Sequence, residues 1–333
     1  MNIYDIAKAC GVSTATVSRV LNGSSKVSEK TRSKVMAVME EAKYTPNPFA
    51  RGLTLNTMKM VGILCTDISD AFYAKAVSLI ENDLKQRSIN MILSCTGTQL
   101  SDKKKYIKLL LEKHVDALIL IGSPFYEEND RSHLIAAAKK IPIIMINSLI
   151  DIPNVYCVAC DEYRAILNSV KQLSRAGHRS ILYLYDSLTY SGQQKLQGYK
   201  AAVSLCRLNN SPLLICQSER SLDTIDKRVR EHLAQVKFTA VMASEDILAT
   251  GAQKALIKCG PHLPVIGCNN SIIAECSTPS LTSIDNRLDV LCPTAVSILD
   301  DILKGNTDNT PTQMIFSPQL VYRESFPEPS KEI

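Results

Sequence analysis

Between Met60 and Asn270, short apolar runs alternate with helix-length amphipathic stretches, and the alternation is written twice: VGILC, MILSC, ALILI and IPIIMI, then ILYLY, LLIC, AVMA and VIGC. Runs this short and this apolar read as strands buried on both faces, and parallel strands need helical crossovers of the kind that fill the gaps. The pattern therefore predicts two doubly wound α/β lobes. The chain is expected to cross back between them near its end, through a helix over 288–304 and strands after Thr312. At 333 residues, with 45% hydrophobic and 21% charged side chains, the sequence can fill two or three cores.

The first sixty residues do not share this pattern. They hold nine basic and four acidic side chains, a net +5, whereas the remainder carries 29 of each. Such asymmetry points to a small module for a polyanion joined to a larger body. Helical spacing recurs three times: Ile6, Ala9 and Cys10; Val17, Val20 and Leu21; Val35, Val38, Met39 and Ala42. Gly11 falls where the first helix must stop, and Ser13 and Ser28 can cap the second and third. The G-V-S turn is the length that sets two helices at a steep angle in a helix-turn-helix. With Val17, Val20 and Leu21 in the core, the second helix presents Thr14, Ala15, Ser18 and Arg19 outward. Small side chains let a helix sit deep in the major groove, Thr and Ala can touch a thymine methyl, and Arg can pair with guanine or phosphate.

Pro46 and Pro48 end the third helix, and the piece from Pro48 to Leu53 is too short to be a stable helix alone. An exposed Leu53 beside Arg51 on such a conditional element suits a minor-groove wedge. The run MNIYDIAKACGVSTATVSRVLNGSSKVSEKTRSKVMAVMEEAKYTPNPFARGL resembles the headpiece and hinge of the LacI/GalR family of bacterial transcription regulators. The resemblance implies that Thr14, Ala15 and Arg19 contact bases or phosphates, that Ala50 sits in the minor groove and that Leu53 intercalates. Thr16, Ser18, Asn22 and Arg51 complete the expected DNA-binding set. Gly52 stands where many members carry Ser, and it should make the hinge harder to form by roughly 0.5–1 kcal/mol. The implied plan is a headpiece over 1–46, a hinge over 47–58 and a periplasmic-binding-protein-like body over 59–333. Within the body, one lobe covers about 59–160 plus 287–317 and the other about 161–286 plus 318–326.

Ligands of open α/β sheets bind beyond the carboxyl ends of strands. Those positions hold Asp67, Ser69, Phe72, Tyr73, Gly122, Ser123 and Asn147 in one lobe, then Asp186, Ser244, Glu245, Asp246, Asn269 and Asn270 in the other. Directional polar groups with an aromatic face suit a polyhydroxylated effector. GHRSILYL, KLQGY, SEDILATGA and VIGCNN resemble family motifs of the second lobe, and Asp161 falls at the family's ligand-contacting aspartate. Lys195 replaces the usual arginine, Glu245 a polar residue and Asn269 an aspartate, while Arg220 falls near a stacking aromatic. Losing a carboxylate at 269 and gaining a cation at 220 favours an anionic effector, a sugar acid or sugar phosphate, held by Lys195 and Arg220; Glu245 argues the other way, and a neutral sugar or nucleoside met by rearranged hydrogen bonds is the alternative. The expected mechanism is a homodimer released by its effector from a near-palindromic operator in double-stranded DNA, with the effector as corepressor the alternative.

Eleven cysteines, an odd number lying mostly in apolar runs, suit buried thiols, and the lone CVAC lacks a second ligand pair for zinc. The five histidines show no metal spacing, so no metal, cofactor or enzyme activity is expected. No apolar stretch is long enough for a membrane span and no signal peptide opens the chain, so a cytoplasmic protein is expected rather than a solute-binding protein of a transporter.

Overall fold

The computed structural model describes residues 2–21, 24–44, 57–208, 213–215, 221–259, 262–307 and 310–328. The chain divides into two compact units, 1–60 with 114–116 and 61–113 with 117–333.

In the first unit, α1 (Ile3–Cys10), α2 (Thr14–Leu21) and α3 (Glu29–Glu41) form a three-helix headpiece. Four of the six helix boundaries have a local cause. Asn2 caps α1 by accepting from the Tyr4 and Asp5 backbone N–H, and the Asp5 carboxylate accepts from the Asn2 N–H, which closes a capping box. Gly11, at φ +62°, takes the left-handed position that ends α1. Ser13 Oγ accepts from the Thr16 N–H at 3.1 Å, and Ser28 Oγ from the Thr31 N–H at 3.3 Å. Ile6, Val17 and Val35, one from each helix, are fully buried at the centre of the small core.

The second unit holds two six-stranded sheets. The first contains β1 (Met60–Cys65), β2 (Asn90–Cys95), β3 (Ala117–Ile121), β4 (Ile143–Ile146), β5 (Val155–Cys160) and β11 (Gln313–Phe316), in the order β11-β5-β4-β3-β1-β2. The second contains β6 (Ile181–Tyr185), β7 (Leu213–Ile215), β8 (Ala240–Ala243), β9 (Val265–Cys268), β10 (Thr282–Asp285) and β12 (Gln319–Val321), in the order β12-β10-β9-β8-β6-β7. The helices of the first lobe are α4 (Ala71–Gln86), α5 (Leu100–Glu112), α6 (Ser132–Ala138) and α12 (Leu288–Leu303). Those of the second are α7 (Glu162–Arg175), α8 (Tyr190–Leu205), α9 (Leu222–Gln235), α10 (Asp246–Cys259) and α11 (Ile272–Cys276). The chain passes between the sheets three times: after β5, after β10 and between β11 and β12.

Two strands and one direction differ from the sequence reading. β5 and β10 were not among the expected apolar runs. β10 reads TSID, yet Thr282 and Ser283 are fully buried because tertiary partners satisfy their hydroxyls: Thr282 Oγ1 donates to the Phe326 carbonyl at 2.7 Å and Ser283 Oγ to Asp246 at 2.5 Å. β12 runs antiparallel to β10, an edge strand on an otherwise parallel arrangement that needs no crossover helix of its own.

In the first lobe, Arg87 Nη1 at the end of α4 meets Asp300 of α12 at 2.7 Å, and Lys304 reaches the same carboxylate at 2.7 Å. The Lys304 hydrogen bond, and then Arg87, hold the Asp300 carboxyl below its ordinary range against the opposing effect of burial. A depressed folded-state value means that the stabilisation is complete above the unfolded-state pKa of about 3.9 and is lost as pH falls through the folded value. Asp300→Asn is expected to cost about 2 kcal/mol near neutral pH. Urea unfolding of both proteins should show that gap closing as pH falls below the unfolded-state value; a gap independent of pH would contradict this role.

Candidate functional site

The headpiece presents α2 as expected. Ala15 and Arg19 are exposed, and Thr14, Thr16 and Ser18 are half-buried beside them, opposite the buried Val17 and Val20. Thr16 also shares its hydroxyl with Ser13 at 2.9 Å, within the cap of α2. The Arg19 guanidinium forms no hydrogen bond or ion pair among the described residues. Asn22, Ala50, Arg51, Gly52 and Leu53 lie outside the described residues, as does Arg220.

A cavity of about 530 Å³ lies in the second unit, where loops at the carboxyl ends of strands from both sheets converge. Eleven of the residues named from the sequence line it: Phe72, Tyr73, Ser123, Asn147, Lys195, Glu245 and Asn269, and with them the strand-end positions Asp67, Gly122, Asp186 and Ser244. The lining is built locally. Asp70 accepts from the Phe72 N–H at 2.9 Å and so caps α4, which sets Phe72 and Tyr73 edge to face, their ring centroids 5.5 Å apart. Gly122, at φ +99°, lets the Tyr73 ring lie against the backbone; a Cβ there would stand 2.7 Å from Tyr73 Cε1. The lobes touch across the cavity, Ser123 Oγ donating to Thr189 Oγ1 at 2.9 Å and Asn147 Nδ2 to Glu162 Oε1 at 3.2 Å. Nearby, Tyr126 and Tyr190 pack with ring centroids 4.8 Å apart.

Ser69 and Asp161 do not line the cavity. Ser69 donates to the Asp67 carboxylate through both its N–H and its hydroxyl. Asp161 caps α7 by accepting from the Arg164 N–H at 2.9 Å. Glu162, the next residue, reaches the cavity instead. The sequence held a signal for it, because Glu162 lies one helical turn before Ala165 and Ile166, on the stripe that continues to Ser169, Val170 and Leu173. Thr66 and Asp70, which the sequence reading did not name, also line the cavity.

Lys195 is only 3% exposed. Its Nζ donates to the Ser244 carbonyl at 3.1 Å and lies 3.3 Å from Glu162 Oε1 and 3.5 Å from Glu245 Oε1. Burial works against the ammonium, yet Cys268, Glu162 and Glu245 around it hold Lys195 well above the ordinary lysine value. Burial pushes the Cys268 thiol up to about 12, so it is neutral near pH 7 and the two carboxylates keep Lys195 charged. The cation expected to grip an anion is thus already shared between two acids. Asn269 is fixed as well, donating to Glu245 Oε2 and accepting from Asn286 Nδ2 at 2.8 Å. Asp246 turns away from the cavity and braces the fold by accepting from Ser271 N, Ser271 Oγ and Ser283 Oγ. Burial raises its pKa. Among the described residues no group of three or more His, Cys, Asp or Glu could hold a metal ion, and no helix is long and apolar enough to cross a membrane.

Comparison with known proteins agrees with this geometry. Residues 2–47 match the family model described as bacterial regulatory proteins, lacI family, and residues 170–326 match the periplasmic-binding-protein-like domain. An HTH-type transcriptional regulator of Lachnoclostridium phytofermentans is 43% identical over 98% of this chain and 99% of its own length. The regulator DegA of Bacillus subtilis is 33% identical over 85% of each chain. The fold is that of the lac repressor dimer solved with operator and the anti-inducer ONPF, at a TM-score of 0.86 and 23% identity, covering 98% of this chain and 99% of that one. With a capped helix-turn-helix ahead of a two-lobed cleft, and relatives that match nearly end to end, the chain belongs to the lacI family of bacterial regulatory proteins and is a DNA-binding transcriptional regulator.

Proposed function

We propose that this regulator is a homodimeric repressor whose hold on a near-palindromic operator is weakened by a small hydroxyl-rich effector of carbohydrate type. The outward face of α2 carries the DNA-binding half of this reading. Thr14, Ala15, Thr16, Ser18 and Arg19 are small or cationic, stand away from the core and suit the major groove. Asn22, Ala50, Arg51 and Leu53 are assigned to DNA contact from the sequence resemblance, with the hinge over 47–58 joining the headpiece to the body. Two-fold symmetry of the operator follows from two-fold symmetry of the protein.

The cavity carries the effector half. Its aromatic pair and its polar groups at strand ends suit a sugar-sized ligand. A sugar acid or phosphate, the expectation from sequence, loses its anchor at Lys195, whose charge is shared by Glu162 and Glu245. An effector alters operator affinity only through its different affinity for the two lobe arrangements, a coupling that runs from about fivefold to about 150-fold. Fluorescence-anisotropy titration of labelled operator, with and without a ligand that raises the melting temperature, tests this. Weakening by such a factor is the expected result. Unchanged affinity would refute ligand control, and tightening would make the ligand a corepressor.

A further inference from the structure

We propose that the effector carries a protonated amine on a hydroxylated, sugar-sized frame, the chemistry of an amino sugar; this rests on the reading of the cavity as the effector site. Five carboxylates line the cavity, those of Asp67, Asp70, Glu162, Asp186 and Glu245, against one described cation, Lys195, for a net charge of −4. Adding the whole charge of Arg220 would still leave −3. Hydrogen bonds and ion pairs among these groups do not change that sum.

Two further side chains ask for a ligand. Asn147 and Ser244 are 5% and 3% exposed and line the cavity, yet Asn147 Oδ1 and Ser244 Oγ have no hydrogen-bond partner among the described residues. Because the Asn147 amide nitrogen is already committed to Glu162, the group it offers is an acceptor, which a ligand N–H or O–H would satisfy. The same donors suit the carboxylates.

Closing the lobes over a ligand strips water from these charges. A neutral ligand adds no charge to set against the negative excess, and an anionic one adds repulsion. An ammonium group supplies three donors and offsets charge, while Phe72 and Tyr73 offer ring faces to the apolar side of a sugar or to the cation itself.

Calorimetric titration of the full chain at neutral pH with D-glucosamine, D-galactosamine and D-mannosamine tests the proposal, set against their N-acetyl derivatives, the parent hexoses and the corresponding hexose 6-phosphates. One amine should bind at least about tenfold tighter than its acetamide twin and weaken with added salt. Asp186→Asn should cost that amine about tenfold more than it costs the twin. Tighter binding of a neutral or phosphorylated sugar, or failure of all three amines to bind, would overturn the amine. If a sugar binds but Phe72→Ala and Asp186→Asn both leave its affinity unchanged, the cavity is not the effector site and both readings fail.

Discussion

Replacing Lys195 with methionine is expected to cost the body about 3–5 kcal/mol of stability near neutral pH, because it leaves two acids of the cavity wall without this cation. Methionine nearly matches the lysine stem in length, so lost packing contributes little. Lys195 and Glu162 are 3% and 4% exposed, and with the ammonium gone Glu162 keeps the hydrogen bond from the Asn147 amide at 3.2 Å but no cation among the described residues. Adding Glu162→Gln should recover most of the loss. Chemical denaturation of the single and double variants measures both effects; a single-variant loss below about 1 kcal/mol would show that the cluster is not the buried ion pair network described.

Ala15→Glu is expected to weaken operator binding by at least about 100-fold while leaving the unfolding of the headpiece nearly unchanged. Ala15 is exposed on the outward face of α2, where exchanging alanine for glutamate costs a helix only a few tenths of a kcal/mol. Pressed into a groove lined by phosphates, the same carboxylate meets strong repulsion and displaces the close contact that a small side chain permits. Arg19→Ala should act differently. If the guanidinium contacts a phosphate, affinity falls for every sequence and the salt slope drops by about one; if it reads guanine, discrimination at one position relaxes. Anisotropy titrations at several salt concentrations separate these outcomes, and an Ala15→Glu protein that binds operator normally would remove α2 from the interface.

The headpiece was legible because every signal in it is local. Gly11, Ser13 and Ser28 act on backbone groups within a few residues, and a cap can be read from such spacing. Most strands were legible as apolar runs for a similar reason. β10 was not, because TSID becomes a buried strand only through Phe326 and Asp246, 44 and 37 residues from the side chains that bond them. The cavity divided along the same line. Phe72, Tyr73, Ser123, Asn147, Glu245 and Asn269 follow from where strands end. That Glu162 and not Asp161 reaches inward depends on which residue caps α7. The fate of the Lys195 charge depends on acids 33 residues before it and 50 after it, and no local pattern carries that pairing.

The most direct test of ligand-controlled repression by a DNA-binding dimer starts with the DNA. Full-length protein would be used to select binding sites from a random-sequence duplex library at near-physiological salt, and the enriched sequences read. An inverted repeat with half-sites one helical turn or a multiple apart is the expected outcome, lost when Ala15→Glu protein is used. Recovery of no preferred sequence, or of a single asymmetric site bound equally well by the variant, would contradict a two-fold repressor reading its operator through α2.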